Sequence, residues 1–184
     1  PFSFDIPPCL AGGEQTLTVR VWDPTDHYYQ PRGKQVSVPD NIVYTAVSGI
    51  WQTVWLEPVE EHHITSLRIL PDIDKSVVSV KADASYAAKD DYMEVRLSAD
   101  GKLLATGKAM VSEDLNIHVH NVRLWTPDTP FLYDLEVSLY SNGKKVDKVQ
   151  SYCAMRKISF AKDNEGVMRL QLNNRTLYQM GMLD

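Results

Sequence analysis

Apolar and polar residues alternate with a period of two along most of the chain. In EQTLTVRVW, residues 14–22, Leu17, Val19 and Val21 fall on one side, with Thr16, Thr18, Arg20 and Trp22 on the other. That is the pattern of a half-buried strand. The theme returns in SVVSVKADAS (76–85), DYMEVRLSADG (91–101), LNIHVHNVRL (115–124), LYDLEVSLYSNG (132–143) and KKVDKVQSYCAM (144–155). Asp100-Gly101 and Asn142-Gly143 supply the positive φ angles that two-residue hairpin turns require. Asp163-Asn164-Glu165-Gly166 reads as a further tight turn leading into VMRLQLNNRTLYQM. No stretch keeps a helical period between caps, so the prediction is an all-β chain.

Breakers place the boundaries. A loop rich in Pro, Asp and Gly runs from Asp23 to Asn41, and Pro58 with Glu60 and Glu61 closes the segment SGIWQTVWLEP (48–58). From His62 to Ile158 the pattern gives roughly seven short strands, the number in an immunoglobulin-like sandwich. No Cys…Trp…Cys spacing marks an antibody-type domain, and a further hairpin follows Ile158. Read as a strand, SGIWQTVWLEP sets Trp51, Thr53, Trp55 and Glu57 on one face and Ile50, Gln52, Val54 and Leu56 on the other. The two indoles then lie about 13 Å apart. That spacing suits sugar stacking, but both faces are apolar. The segment is therefore expected to be a core and junction strand covered on both sides.

Composition narrows the function classes. With 43% hydrophobic residues in 184, the chain can build a real core. Its net charge of −5 is spread out and no basic run is present, which argues against nucleic acid and anionic membrane as partners. No apolar stretch approaches the ~20 residues of a membrane helix. Cys9 and Cys153 are far apart without metal-type spacing and read as two buried free thiols. The first residues, PFSFDIPPCL, read as a cut through a longer protein, and the compartment stays open between cytoplasmic and extracytoplasmic.

Few residues compose a site. His118 and His120 share a strand face, but no third ligand of fitting spacing accompanies them, and no metal or other cofactor is expected. Glu60-Glu61, Asp90-Asp91 and Glu113-Asp114 read as solvated turn acids, because glycosidic catalysis needs two carboxylates across a cleft. DNEG lacks the alternating oxygens of a calcium loop, Gly12-Gly13 has no phosphate-loop context, and no G-x-S-x-G occurs. No catalytic residue is expected. The loop DHYYQPRGKQ, with Tyr28, Tyr29, Arg32, Lys34 and Gln35, mixes aromatic faces with donors. It suits a hydroxyl-rich ligand or a contact with a neighbouring domain equally.

Three stretches together resemble glycoside hydrolase family 2, the group of β-galactosidases, β-mannosidases and β-glucuronidases. DPTDHYYQPRGKQ with SGIWQTVWLEP resembles the end of the family's sugar-binding jelly roll (galactose-binding-like). LWTPDTPFLYDLEV (124–137) resembles its Leu-Trp-x-Pro-x-x-Pro-x-Leu-Tyr-x-Leu signature in the immunoglobulin-like domain. AMRKISF (154–160) with LNNRTLYQMGMLD (172–184) resembles the lead into the catalytic barrel. Ala154 stands where the family usually has Gly, and Val43 where it often has Trp.

The resemblance implies three parts: the end of a jelly roll over 1–59, an immunoglobulin-like sandwich over 60–158, and a lead-in hairpin over 159–184. It implies a retaining glycosidase as parent, with two catalytic glutamates in a (β/α) barrel of ~250 residues that would follow Asp184. The barrel would be this segment's partner, with carbohydrate reached through the parent and a second copy of the chain as a further partner. The segment alone would be inactive. Arg32, Lys34, Gln35, Asp40 and Tyr44 would contribute to substrate binding in the parent. Trp51, Trp55, Trp125, Tyr133 and Arg156 would be structural: Trp125 filling the sandwich core, Tyr133 making a tyrosine-corner-type bond, and Arg156 pairing at the barrel seam. An autonomous carbohydrate-binding module and an immunoglobulin-like interaction module are the alternatives.

Overall fold

The computed structural model describes residues 3–6 and 12–181. Cys9 therefore lies outside the described residues. The chain divides into two compact units, Pro1–Glu57 and Pro58–Asp184.

Within the first unit, the described residues pair only at β1 (Gln35–Val36) and β2 (Tyr44–Thr45), which run parallel. The strands expected over 14–22 and 48–58 do not form among the described residues. Leu17, Val19 and Val21 are exposed, and Trp51 and Trp55 are 87% and 67% exposed. The expectation of a Trp strand covered on both faces is corrected here. Alternation encodes which side chains share a face, but a strand also needs a neighbour to take its N–H and C=O groups. No such neighbour lies along these segments among the described residues.

The second unit holds seven strands over the range where the pattern gave that number. They are β3 (Ile64–Asp72), β4 (Val77–Ala84), β5 (Tyr92–Ala99), β6 (Lys102–Met110), β7 (Leu115–His118), β8 (Tyr133–Ser141) and β9 (Lys144–Cys153). All pairings are antiparallel, in one sheet of order β3-β4-β7 and another of order β6-β5-β8-β9. Inward residues of both sheets meet in one core. Val78, Val80, Ala82 and Ile117 come from the first sheet, and Met93, Val95, Leu97, Leu135 and Val137 from the second. Each set falls at every second position, as the pleat requires.

Turn chemistry decides the sheet order. Asp100 and Gly101 have φ of 50° and 73°, as in a type I′ turn, and Ala99 pairs with Lys102 across it. Two residues leave no chain to cross the sandwich, so β6 stays beside β5. Asn142 and Gly143, with φ of 50° and 72°, fold β9 onto β8 in the same way.

A third small sheet follows, built from β10 (Ile158–Lys162), β11 (Met168–Leu172) and β12 (Arg175–Thr176) in that order. Polar straps tie it to the sandwich. Asn173 donates its amide to the Trp125 carbonyl at 2.8 Å and accepts the Lys157 N–H at 3.0 Å. Asn174 donates to Asp74 at 2.8 Å, and the Lys157 ammonium pairs with the same carboxylate.

Candidate functional site: the loop from Asp23 to Ser48

The loop in the first unit is knitted by its own side chains. Asp23 accepts the Thr25 N–H and the Ser48 hydroxyl, both at 2.7 Å, which ties the two ends of the loop together. Asp26 accepts the Ser37 hydroxyl, and Gln30 donates to the Thr25 carbonyl at 2.8 Å. The Ser48 hydroxyl, then the Thr25 N–H, hold the Asp23 carboxyl below the usual carboxylate range. The Ser37 hydroxyl does the same for Asp26. Thr25, Tyr28 and Asn41 adopt left-handed φ of 57°, 61° and 54°. For a β-branched threonine that conformation is strained and is held by the surrounding bonds.

Three of the five sequence-predicted residues meet at the β1–β2 pair. The Tyr44 N–H donates to the Lys34 carbonyl at 2.8 Å, and the Lys34 ammonium lies 5.9 Å from the centroid of the Tyr44 ring. Gln35 accepts the Val47 N–H at 2.9 Å, so its amide nitrogen is left to donate outward. The other two stand apart from this group. Arg32 donates to the Tyr28 carbonyl at 3.3 Å, beside the Tyr28–Trp22 ring contact at 5.9 Å. Asp40 caps a turn by accepting the Val43 N–H on its carbonyl at 3.2 Å and the Asn41 amide on its carboxylate at 3.1 Å. Neither Arg32 nor Lys34 forms an ion pair among the described residues. The loop thus spends its Asp23 and Asp26 carboxylates internally and leaves the Lys34 ammonium, the Gln35 amide and the Tyr44 ring together on exposed residues, with Arg32 exposed apart from them. That set can bind hydroxyl oxygens and stack a sugar ring.

Of the remaining predicted residues, Trp51 and Trp55 are exposed in the first unit, and Trp125, Tyr133 and Arg156 lie in the second. Tyr133 is buried at the head of β8, and its hydroxyl accepts the Arg123 N–H at 2.7 Å, with Phe131 edge-on at 4.9 Å. Trp125 does not fill the core. It is half-buried on the preceding loop, with the Arg156 guanidinium 5.0 Å from its ring centroid. The prolines at 127 and 130 carry the chain outside the sheets there, so the indole covers the sandwich's end instead of entering it. Arg156, Asn116, His118, Leu70, Ile73 and Ile158 border an open groove of about 1040 Å³. His118 and His120 both point to solvent, and no cluster of three metal-ligating residues forms among the described residues.

One acid departs from its sequence reading. Asp91 is not a solvated turn residue but is 2% exposed, with His62 Nε2 3.2 Å from its carboxylate. The signal was available only in part. Asp91 occupies the first inward register before Tyr92, but DD on a turn reads as polar surface unless a partner such as His62 is known.

The family model for glycosyl hydrolases family 2 matches residues 62–156, the sandwich with its closing segment. A β-galactosidase of Halalkalibacterium halodurans is 24% identical over 96% of this chain and 18% of its own length. One of Lactococcus lactis subsp. lactis is 26% identical over 99% of this chain and 17% of its own. The chain thus spans less than a fifth of these relatives. Among solved structures, the β-glucuronidase of Ruminococcus gnavus superposes with a TM-score of 0.51 at 20% identity, covering 66% of this chain and 19% of that one. A family 2 member from Bacteroides cellulosilyticus gives 0.52 at 20% identity over 65% and 18%. These two likenesses speak for the sandwich fold. With its family model seated on the seven-strand sandwich and over half of its length, the chain belongs to glycosyl hydrolases family 2.

Proposed function

We propose that the chain is the non-catalytic accessory region of a family 2 glycoside hydrolase, in which it positions a catalytic barrel and shapes substrate access. The observation that carries this reading is the match along nearly its whole length to β-galactosidases more than five times longer. In that reading residues 1–59 end a sugar-binding jelly roll, 60–158 form the immunoglobulin-like sandwich, and 159–184 lead into the barrel. The parent cleaves O-glycosyl bonds with retention, and the glutamates that do so lie in the barrel. The Lys34–Tyr44–Gln35 group and Arg32 supply donors and a ring toward the substrate, while Asp40 holds the turn beside them. The third sheet supports a docking role, because Ile158, Phe160, Met168 and Leu170 are exposed on strands in register, Phe160 opposite Leu170.

The test compares the isolated chain with the full-length parent on nitrophenyl β-galactoside and β-glucuronide. The isolated chain is expected to be inactive, and Lys34→Ala in the parent to raise KM about tenfold, the loss of one hydrogen bond to a charged group. Turnover by the isolated chain, or an unchanged KM, overturns the corresponding half of the reading.

A second reading is favoured by one observation. Trp51 and Trp55 are exposed, as an autonomous carbohydrate-binding module would need. Calorimetric titration of the chain with oligosaccharides decides it: binding heat that disappears in Trp51→Ala supports the module, and no heat excludes it.

A further inference from the structure

Two hairpins of the larger sheet are built alike. In β5–β6 the Asp100-Gly101 turn is followed by the pairs Ala99–Lys102 and Ser98–Leu103, and then by a register shift. In β8–β9 the Asn142-Gly143 turn is followed by Ser141–Lys144 and Tyr140–Lys145, and then by a register shift between Tyr140 and Leu139. Two pairs alone separate each turn from its irregularity, so a hairpin end can open without disturbing the rest of the ladder. In β8–β9 the Ser141 hydroxyl bonds the buried Asp91 carboxylate, which anchors the β8 side and leaves the β9 side to move.

The turn side chains differ. The Asp100 carboxylate is paired with the Arg123 guanidinium. Asn142 is exposed, and its amide makes no hydrogen bond to a described residue. It is the one asparagine in the sequence that precedes glycine. A Cβ placed on Gly143 would meet nothing within 4 Å, so the approach on that side is open. Asn41, Asn173 and Asn174 spend their amides on Asp40, the Trp125 carbonyl and Asp74. Asn121 makes the sharpest contrast. It is exposed and left-handed too, with φ of 54°, but precedes Val122, whose branched side chain crowds the following nitrogen.

We propose that Asn142 is a self-modification site, which converts through a cyclic imide with Gly143 to aspartate and isoaspartate while the chain stays folded. The Gly143 nitrogen attacks Asn142 Cγ. A carbon–nitrogen bond forms there as the bond to the amide nitrogen breaks, and ammonia leaves with the proton from the Gly143 nitrogen. Water then opens the imide. Attack at the side-chain carbonyl gives aspartate, and attack at the main-chain carbonyl gives isoaspartate. No oxidant or cofactor enters the balance.

The two products differ in what they do to the fold. Aspartate keeps the turn, since Asp-Gly already makes the same turn at 100–101. Isoaspartate lengthens the main chain by one carbon inside a turn whose length sets the register, so the Ser141–Lys144 pair opens.

The unsubstituted chain, held folded at pH 8 and 37 °C for weeks, is mapped by peptide mass spectrometry with fragmentation that separates isoaspartate from aspartate. Asn142 is expected to convert about tenfold faster than Asn121, because glycine leaves its nitrogen open and valine crowds it. Both acids should appear. Conversion no faster than at Asn121, conversion confined to a parallel sample in urea, or aspartate without isoaspartate each overturns the proposal. Hydrogen exchange on the aged chain then reads the turn. Protection at the Lys144 and Lys145 amides should fall about fivefold in the isoaspartate form, the scale of one backbone hydrogen bond, with β5 unchanged. Asn142→Asp should keep the protection of the fresh chain. Loss of protection in Asn142→Asp, or equal protection in the isoaspartate and fresh forms, overturns the stated fate of the turn.

Discussion

Tyr133 sets the course of a loop with one hydroxyl. The ring fills the sandwich core while its oxygen takes the Arg123 N–H ten residues upstream, fixing the LWTPDTP crossing between β7 and β8. Tyr133→Phe is expected to cost about 1–3 kcal/mol in urea unfolding, because it strands that N–H without a compensating acceptor. A cost below a few tenths would show that water replaces the hydroxyl. Leu97 is wholly buried between the sheets, and Leu97→Ala should cost about 2–5 kcal/mol by the same measurement.

Cys153 gives a chemical check on the same core. Burial alone pushes its thiol up to about 11, so at pH 8 almost no thiolate is present. Iodoacetamide should leave Cys153 unmodified in the folded chain and alkylate it in urea; rapid native labelling would contradict its burial. The thiol was legible in the sequence because KKVDKVQSYC alternates, and position 153 falls on the inward side of β9. Asp91 was not, because its burial depends on a histidine 29 positions earlier, and local pattern carries no record of such a pairing.

The elements follow turn chemistry closely. Asp-Gly and Asn-Gly each fold a hairpin with two residues in left-handed conformation, and those turns fix both register and sheet membership. At the outer edges β6 and β9 carry Lys102, Lys108, Lys144, Lys145 and Lys148, charges that resist edge-to-edge pairing with another copy.

The β10–β11 hairpin turns on Asp163, whose carboxylate accepts the Glu165 and Val167 N–H groups at 2.9 Å and the Arg169 guanidinium at 2.9 Å. Arg169 first, and then the Val167 N–H, hold its carboxyl below the usual range. A depressed folded value means the contribution is whole above the unfolded carboxylate's value of about 3.9 and is lost as pH falls below it. Amide protection at 165–169 should therefore drop between pH 5 and pH 2.5 and lose this dependence in Asp163→Asn. Equal profiles in the two chains would remove Asp163 from the turn's energetics.

For the whole molecule, the period-two pattern encoded the all-β class, the seven strands between His62 and Ile158 and the extra hairpin beyond them. These are local properties: alternation assigns faces, and Gly with Asp or Asn assigns turns. The loop residues Arg32, Lys34, Gln35, Asp40 and Tyr44 were legible as a donor-rich stretch. That Lys34, Gln35 and Tyr44 converge while Arg32 and Asp40 stand apart came from the parallel β1–β2 contact, which pairs residues nine apart and leaves no period in the sequence.

Three things were decided only by tertiary structure. The segments 14–22 and 48–58 alternate as strands do, yet lie unpaired among the described residues, because a ladder needs a second chain segment beside it. Trp125 reads as a core residue by size and hydrophobicity but rests under Arg156 at the sandwich's end, where Pro127 and Pro130 keep its loop out of the sheets. Asp91 reads as surface by type and lies inside, because His62 and two hydrogen-bond donors offset the cost of drying its charge. Sequence alone specified faces and turns, whose physics spans a few residues. Partners separated along the chain were left to the fold, since only packing brings their atoms within reach.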